Sequence, residues 1–198
     1  MTSLGTVLQT KLQSQEKWTS RPAWKARRGR IPTAAKAMYR DVQQAFAAGD
    51  RAAIAALCTP HFASQLLSAL ERRPRSQRVQ LEMRYTKPFF YPRLKNHLIG
   101  AFNPFDRHTL REQAVVAVSS FQKMTREDVR GGGATVDRVS KVFDKVEYVV
   151  LTRDVSAKSY ESTPWKIWGT TTTTTLEQSK QQYEDLIRQH KKQQGWKT

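Results

Sequence analysis

The sequence has one cysteine, no long apolar segment and a low hydrophobic content. A single thiol, Cys58 in a chain of 198 residues, excludes an internal disulfide and a zinc site built from several thiolates. Its place in the apolar run "RAAIAALC" predicts a small buried side chain rather than a catalytic nucleophile. No apolar run reaches the roughly 18–20 residues of a membrane-spanning helix, so only a peripheral membrane contact is expected. Hydrophobic residues make up 38%, against roughly 45–50% in typical soluble domains, which predicts a packed core for only part of the chain.

Acidic residues are also scarce. There are 17 Asp and Glu against 34 Lys and Arg, which gives a formal net charge of +17. A charge of this size indicates a polyanionic partner, either nucleic acid or an anionic membrane surface, and composition does not divide the charge between the two. The alternative is that the charge serves solubility alone.

Residues 1–32 are predicted to form a basic, aromatic N-terminal arm. Helical spacing of Leu4, Val7, Leu8 and Leu12 predicts a short amphipathic helix at its start. The segment "KWTSRPAWKARRGR" that follows has no acidic residue, and its proline and glycine argue against regular structure. We interpret it as a tail that orders on a partner, since two tryptophans are costly to leave in water; the alternative is a solvated, disordered tail. The candidate nucleic-acid-binding residues of the arm are Lys17, Trp18, Arg21, Trp24, Lys25, Arg27, Arg28 and Arg30.

Residues 33–178 are predicted to form one α+β domain that begins with three helices. Thr33 is the expected N-cap of the first helix, and Gly49 is expected to end it. Asp50 is expected to cap the second helix, and Pro60 opens the third, which stops at Pro74. The apolar stripes expected to face the core are Ala35, Met38, Tyr39, Val42 and Phe46 in the first helix, and Phe62, Leu66, Leu67 and Leu70 in the third.

Strand patterns follow the helices. "RVQLEMRYTK" alternates apolar and polar residues, and further strands are predicted around residues 96–102, 111–126, 140–155 and 164–170. "EDVRGGGATVDRV" is interpreted as a turn region between two long strands. Helices followed by strands predict helices packed on a curved antiparallel sheet whose inner face they cover. The residues predicted to face inward are Val115, Val118, Tyr148 and Val150.

The C-terminal part changes from strand-like to helix-like sequence. The threonines at 170–175 favour extended backbone and are expected either to continue an edge strand or to lie along the sheet. Residues 175–178, "TLEQ", match a capping box, which predicts a helix with Leu176, Tyr183, Leu186 and Ile187 on its apolar side. Residues 179–198 are predicted to be the end of this helix and a basic tail.

No catalytic or metal-binding motif stands out. The histidines, His61, His97, His108 and His190, lack metal-ligand spacing and are expected at the surface or at helix caps. "RGGGAT" lacks the lysine of a phosphate-binding loop and is interpreted as a hairpin. The carboxylates Glu127, Asp128, Asp144 and Glu147 form no evident catalytic pair and are expected to contact water. No cofactor is predicted, and these absences argue mildly against an enzyme, although catalytic sets also assemble from distant residues.

A second basic cluster precedes an aromatic segment. It adds four candidate nucleic-acid-binding residues, namely Arg72, Arg73, Arg75 and Arg78. Phe89, Phe90 and Tyr91 follow, and they either pack within the protein or offer rings to bases or partner proteins.

Three segments together resemble a known family. They are "AKAMYRDVQQAFAAGDRAAIAALCTPHFASQLLSAL", "EQAVVAVSSFQKMTR" and "KVEYVVLTRDVSAKSYESTPWKIWGTTTTTTLE". In this order they look like the Tim-forty-four-like domain, in the branch of the mitochondrial large-subunit ribosomal protein L-forty-five and the fungal Mba-one ribosome receptor. The resemblance covers roughly residues 33–178, and the run of threonines is longer than is typical of the family.

The resemblance implies a cone-like fold similar to nuclear transport factor two and a place beside the polypeptide exit of the mitochondrial ribosome. It implies contacts with mitochondrial large-subunit rRNA, neighbouring ribosomal proteins, the inner-membrane surface with its insertion machinery, and nascent chains. It also implies a location in the mitochondrial matrix, peripheral to the inner membrane, and it carries no catalytic residues.

Three hypotheses follow. The first is a structural component of the large ribosomal subunit that tethers the ribosome to the inner membrane for co-translational insertion. The second is a subunit of the inner-membrane import machinery that binds precursor proteins. The third is a small enzyme on the same cone fold, which would need a buried acid or histidine inside the cup.

Overall fold

A computed structural model of the chain describes residues 3–15, 20–74, 76–101, 108–129 and 135–171. Within these ranges the protein has four α-helices and one five-stranded antiparallel sheet, which confirms the α+β class. The helices are α1 (Ser3–Gln13), α2 (Ile31–Ala48), α3 (Arg51–Leu57) and α4 (Pro60–Glu71), with a 3-10 turn at Arg28–Arg30. The strands are β1 (Gln77–Tyr85), β2 (Arg93–Ala101), β3 (Thr109–Val129), β4 (Thr135–Ser156) and β5 (Lys166–Thr171).

The helix boundaries follow local backbone chemistry. Gly49 ends α2 with a φ of 77°, and the Asp50 side chain accepts a hydrogen bond from the Ala53 N–H at 3.0 Å, as predicted. α4 begins at Pro60, also as predicted. The prediction of Thr33 as an N-cap is wrong, because α2 already begins at Ile31 with Pro32 in its first turn. Proline fits there, since a helix needs no N–H donor at its first positions.

The sheet is organised around β3. The strand order is β1-β3-β4-β5. β1 and β2 pair with the same edge of β3, β2 with its first half and β1 with its second half. β3 and β4 run for 21 and 22 residues. The predicted turn region is therefore too long, because β3 continues to Val129 and β4 starts at Thr135. An ion pair between Glu127 and Arg138, 3.3 Å apart, lies inside that paired extension.

Helices α2, α3 and α4 pack on one face of the sheet, called the inner face here. Its central strand residues are Val116, Val118, Val149, Leu151 and Ile167. The predicted inward direction is right for Val118. It is wrong for Val115, Tyr148 and Val150. Successive strand residues alternate between the two faces, so Val115 and Ala117 lie opposite to Val116 and Val118. Val150 and Tyr148 pair with Val115 and Ala117, so they share that outer face.

The N-terminal segment packs against the same sheet. Helix α1 contacts β2, and Val7 is buried with Ile99 and Val155 in a second apolar cluster. The helix is confirmed, yet Leu8 and Leu12 are more than half exposed, so only part of its apolar stripe is covered. No helix in the described ranges is long and apolar enough to cross a membrane.

Candidate nucleic-acid interface

The structure describes five of the basic residues predicted to bind nucleic acid in the arm. Arg21, Lys25, Arg27 and Arg30 are exposed and Arg28 is half-buried. None of these five forms an ion pair within the part of the chain that the structure describes. Their charge is therefore available to an external anion. Of the other candidates, Lys17, Trp18 and Arg75 lie outside the described residues, as do the glycine loop, His190 and the predicted C-terminal helix.

Trp24 corrects the prediction that both arm tryptophans meet a partner. Its side chain is 2% exposed and packs with Val7, Ile99 and Val155. The backbone is held as well, since the Trp24 N–H donates to Ser14 Oγ at 3.2 Å. A ring in this position cannot stack on a base. Trp24 instead fixes the basic segment to the sheet.

The chain after Trp24 leads into the start of α2. Arg27 has a left-handed backbone with a φ of 42°, and its carbonyl accepts a hydrogen bond from the Arg30 N–H at 2.9 Å. The turn Arg28–Arg30 then joins α2, whose first turn contains no acidic residue. A helix N-terminus carries partial positive charge, so it adds to that of the arginines rather than offsetting it. This end of the molecule is suited to bind phosphate groups.

The second basic cluster is only partly available. Arg72 and Arg78 are exposed and have no ion pair in the described ranges. Arg73 is engaged within the protein, because its guanidinium donates to the carbonyl oxygens of Ala47 (3.0 Å) and Phe46 (2.9 Å). These carbonyls end α2, where a cation is favourable. Burial, with a smaller contribution from a neighbouring arginine, lowers the pKa of Arg73.

The aromatic residues after β1 form a protruding loop. β1 and β2 lie end to end along one edge of β3. Tyr85 at the end of β1 pairs with Ser120, and Arg93 at the start of β2 pairs with Ala117. The seven residues 86–92 therefore connect two positions that are only three residues apart on β3. The surplus chain must therefore project. Phe89 is 96% exposed and Phe90 is 71% exposed, whereas Tyr91 is half-buried. For the two phenylalanines the alternative of packing within the described part of the protein is wrong, since their rings are exposed.

A buried charged cluster lies on the inner face. His97 Nε2 is 2.7 Å from Glu112 Oε1, and Arg153 Nε donates to Glu112 Oε2 at 2.6 Å. Both His97 and Glu112 are fully buried, so the surface role predicted for this histidine is wrong. Arg153 also lies over the Trp165 ring at 4.4 Å. The inner face therefore contains charged and polar side chains besides the apolar ones.

Burial also shifts the pKa of Cys58 and of Glu147. Burial raises the pKa of the Cys58 thiol to about 11, so it stays protonated at neutral pH, as expected of a small buried side chain. Burial also raises the pKa of Glu147 to about 7. Its side chain is 16% exposed and lies 2.7 Å from Lys145 Nζ, which corrects the expectation that it faces water. The described residues contain no group of three or more potential metal ligands.

Comparison of the chain with known protein families finds no matching family, and comparison with curated proteins finds no matching sequence.

Proposed function

We propose that this protein is a non-catalytic component of the mitochondrial large ribosomal subunit. In this proposal it lies near the polypeptide exit, folds as a cone similar to nuclear transport factor two, and tethers the ribosome to the inner membrane in the matrix. The observation that carries the proposal is the surface held in place by Trp24. There Arg21, Lys25, Arg27 and Arg30 are exposed and form no ion pair with any acidic residue in the described ranges. A fixed cationic surface binds rRNA at a smaller entropic cost than a free tail does.

Neutralising the arm should weaken RNA binding and its dependence on salt. We expect the variant Arg27→Gln/Arg28→Gln/Arg30→Gln to bind large-subunit rRNA fragments more weakly. The slope of log affinity against log salt should fall by about 2, since each phosphate contact contributes about 0.7–0.9. Binding is measured by filter retention over a range of salt concentrations.

A matched variant tests whether this effect belongs to the arm. Arg40→Gln/Arg51→Gln/Arg138→Gln removes the same charge from exposed arginines that already pair with Asp41, Glu71 and Glu127. It should keep most of the binding and of the salt slope. If the two triple variants lose affinity equally, the net charge and not the arm accounts for RNA binding.

The loop of residues 86–92 supports the membrane part of the proposal. Phe89 and Phe90 stand at its tip, and Lys87 and Arg93 beside them are exposed and have no ion pair among the described residues. Aromatic rings insert at the interface of a bilayer, and each nearby cation adds about 1 kcal/mol on an anionic surface. The loop therefore combines both elements of a peripheral membrane contact.

Replacing both phenylalanines with serine should reduce binding to anionic vesicles. We expect Phe89→Ser/Phe90→Ser to lower the partition coefficient about 10-fold or more in vesicle co-sedimentation, because two apolar side chains no longer enter the lipid. The control Val139→Ser/Val142→Ser changes two exposed apolar residues on another part of the sheet. Equal losses in both variants would show that the loop is not the membrane contact.

His97 and Glu112 favour a second candidate function. A histidine next to a carboxylate on the inner face is the feature that an enzyme on a cone fold would need. Both side chains are fully buried, however, so neither reaches a substrate in this structure. Sucrose-gradient sedimentation of the native protein with and without nuclease separates the candidates. A ribosomal component moves from the large-subunit fractions after nuclease, whereas a free enzyme or an import subunit does not change position.

A further inference from the structure

Trp168 stands out on the outer face at a break in strand pairing. Leu151 pairs with Ile167 and Val150 pairs with Gly169, so Trp168 is the extra residue of a β-bulge in β5. Bulges redirect a side chain and are frequent beside binding sites. The Trp168 side chain is 52% exposed, in contrast to the buried Ile167. The backbone thus directs a large flat ring into solvent, and the exposed part of this ring contributes little to the stability of the fold.

Two cavities border this ring. One, of about 520 Å³, extends from Trp168 to the start of α4 and is lined by Thr59, Pro60 and Lys166 among others. The other, of about 340 Å³, lies between Trp168, Leu98 and Gln113 on the outer face. A half-exposed aromatic ring that borders open space can be covered by a planar ligand without displacement of the core.

The larger cavity offers polar groups without a partner. Thr152 is 9% exposed and lines the cavity, and its hydroxyl has no hydrogen-bond partner among the described residues. The hydroxyl of Thr59 also has no hydrogen-bond partner among the described residues. Thr59 is the N-cap residue of α4, but its side chain makes no cap hydrogen bond. Two hydroxyls in this state can bond to a ligand that supplies donors or acceptors.

The charge of this cavity suits a single phosphate. The Lys166 ammonium forms no ion pair in the described part of the chain. The other cations of the lining are engaged, since Arg111 pairs with Asp154 at 3.0 Å and Arg153 with Glu112. The N-terminus of α4 adds partial positive charge. One unpaired cation and one helix terminus match the single negative charge of a phosphodiester better than the higher charge of a free nucleotide.

We propose that this site, at the β5 edge of the sheet, binds one unpaired nucleotide of an RNA strand. The base stacks on Trp168, the phosphate lies between Lys166 and the start of α4, and the hydroxyls of Thr152 and Thr59 bond to polar atoms of the nucleotide. Stacking on an aromatic side chain accepts any base, so the site recognises a single strand rather than a sequence. The inference rests on the proposed RNA-binding function and adds a contact distant in sequence from the arm.

The test is binding of a fluorescently labelled single-stranded oligoribonucleotide of about 10 nucleotides, a length typical of such sites. We expect Trp168→Ala to weaken binding about 5- to 100-fold and Trp168→Phe to retain most of it, because phenylalanine still stacks. Lys166→Gln should weaken binding and lower the salt slope by about 0.7. Ultraviolet cross-linking should attach the oligonucleotide to a peptide that contains Trp168.

Controls separate this site from the arm and from a small-molecule pocket. Phe121→Ala removes another exposed ring, on the β3 strand, and should leave binding unchanged. Thermal melting of Trp168→Ala should stay close to the parent, since the ring is half exposed. Unchanged binding by folded Trp168→Ala, while the arm variant loses binding, would overturn this site and leave the proposed function standing. No RNA binding by the parent protein would overturn both. Tighter binding of free adenosine monophosphate than of the oligonucleotide would overturn the assignment to RNA.

Discussion

Replacing Glu112 with alanine will lower the free energy of unfolding by about 3–5 kcal/mol, the usual cost of breaking a buried ion pair by removing one partner. The carboxylate is fully buried and holds both His97 and Arg153, at 2.7 Å and 2.6 Å. Without it, two polar side chains remain on the inner face with no acceptor. Urea denaturation followed by far-ultraviolet circular dichroism measures the change, with the slope against urea as a check on two-state unfolding.

A surface pair supplies the control for Glu112. Glu71 lies 3.4 Å from Arg51, and both side chains are 60% exposed. Glu71→Ala should therefore cost less than about 1 kcal/mol. Glu112→Gln, which keeps the shape but not the charge, should fall between the two. A cost for Glu112→Ala as small as that for Glu71→Ala would mean that the buried cluster does not stabilise the fold.

The variant Trp24→Ala should also lower the free energy of unfolding by about 3–5 kcal/mol, since it removes a large side chain from a closed apolar cluster. Trp24 is 2% exposed, and its indole N–H has no hydrogen-bond partner within the described residues. Trp24→Phe should thus lose packing volume but no hydrogen bond, and cost less than the alanine variant. The measurement is again denaturation in urea.

The same substitution tests whether Trp24 anchors the basic segment. At a temperature where Trp24→Ala is still folded, its affinity for rRNA should fall although no charge has been removed. For affinity the matched control is Phe121→Ala, which removes an exposed ring outside both proposed RNA contacts; for stability it is Trp168→Ala, which removes a half-exposed tryptophan and should change the free energy of unfolding by less than about 1 kcal/mol. If Trp24→Ala unfolds at the same urea concentration as Trp168→Ala, the arm is not held by this ring.

Local signals in the sequence were sufficient for most of the elements. Asp50 caps α3 because its side chain reaches an N–H only three residues ahead, and the alternation in β1 appears directly as every second residue half-buried. Each of these features depends on neighbours along the chain. The α+β class followed from them, since helices and strands are separated in the sequence.

The features that sequence reasoning missed depend on long-range contacts. Arg73 reaches carbonyls 26 and 27 residues earlier in the chain, and Trp24 packs against strands that come much later. His97 and Glu112 stand 15 residues apart and meet only because β2 and β3 pair in a particular register. Once that register is known, both residues fall on the face of Ala114 and Val116. A shift of one residue would have put them in solvent.

The sharing of one carboxylate by two partners also restricts how the sequence can change over evolution. Replacement of Glu112 alone leaves His97 and Arg153 buried without their acidic partner. Joint replacement of all three by apolar side chains of similar volume changes the free energy of unfolding little. In relatives of this protein these three positions are therefore expected to be inherited as a set, either all retained or all exchanged together. Such covariation would identify the inner face of the fold in a distant homologue that shares no other recognisable motif.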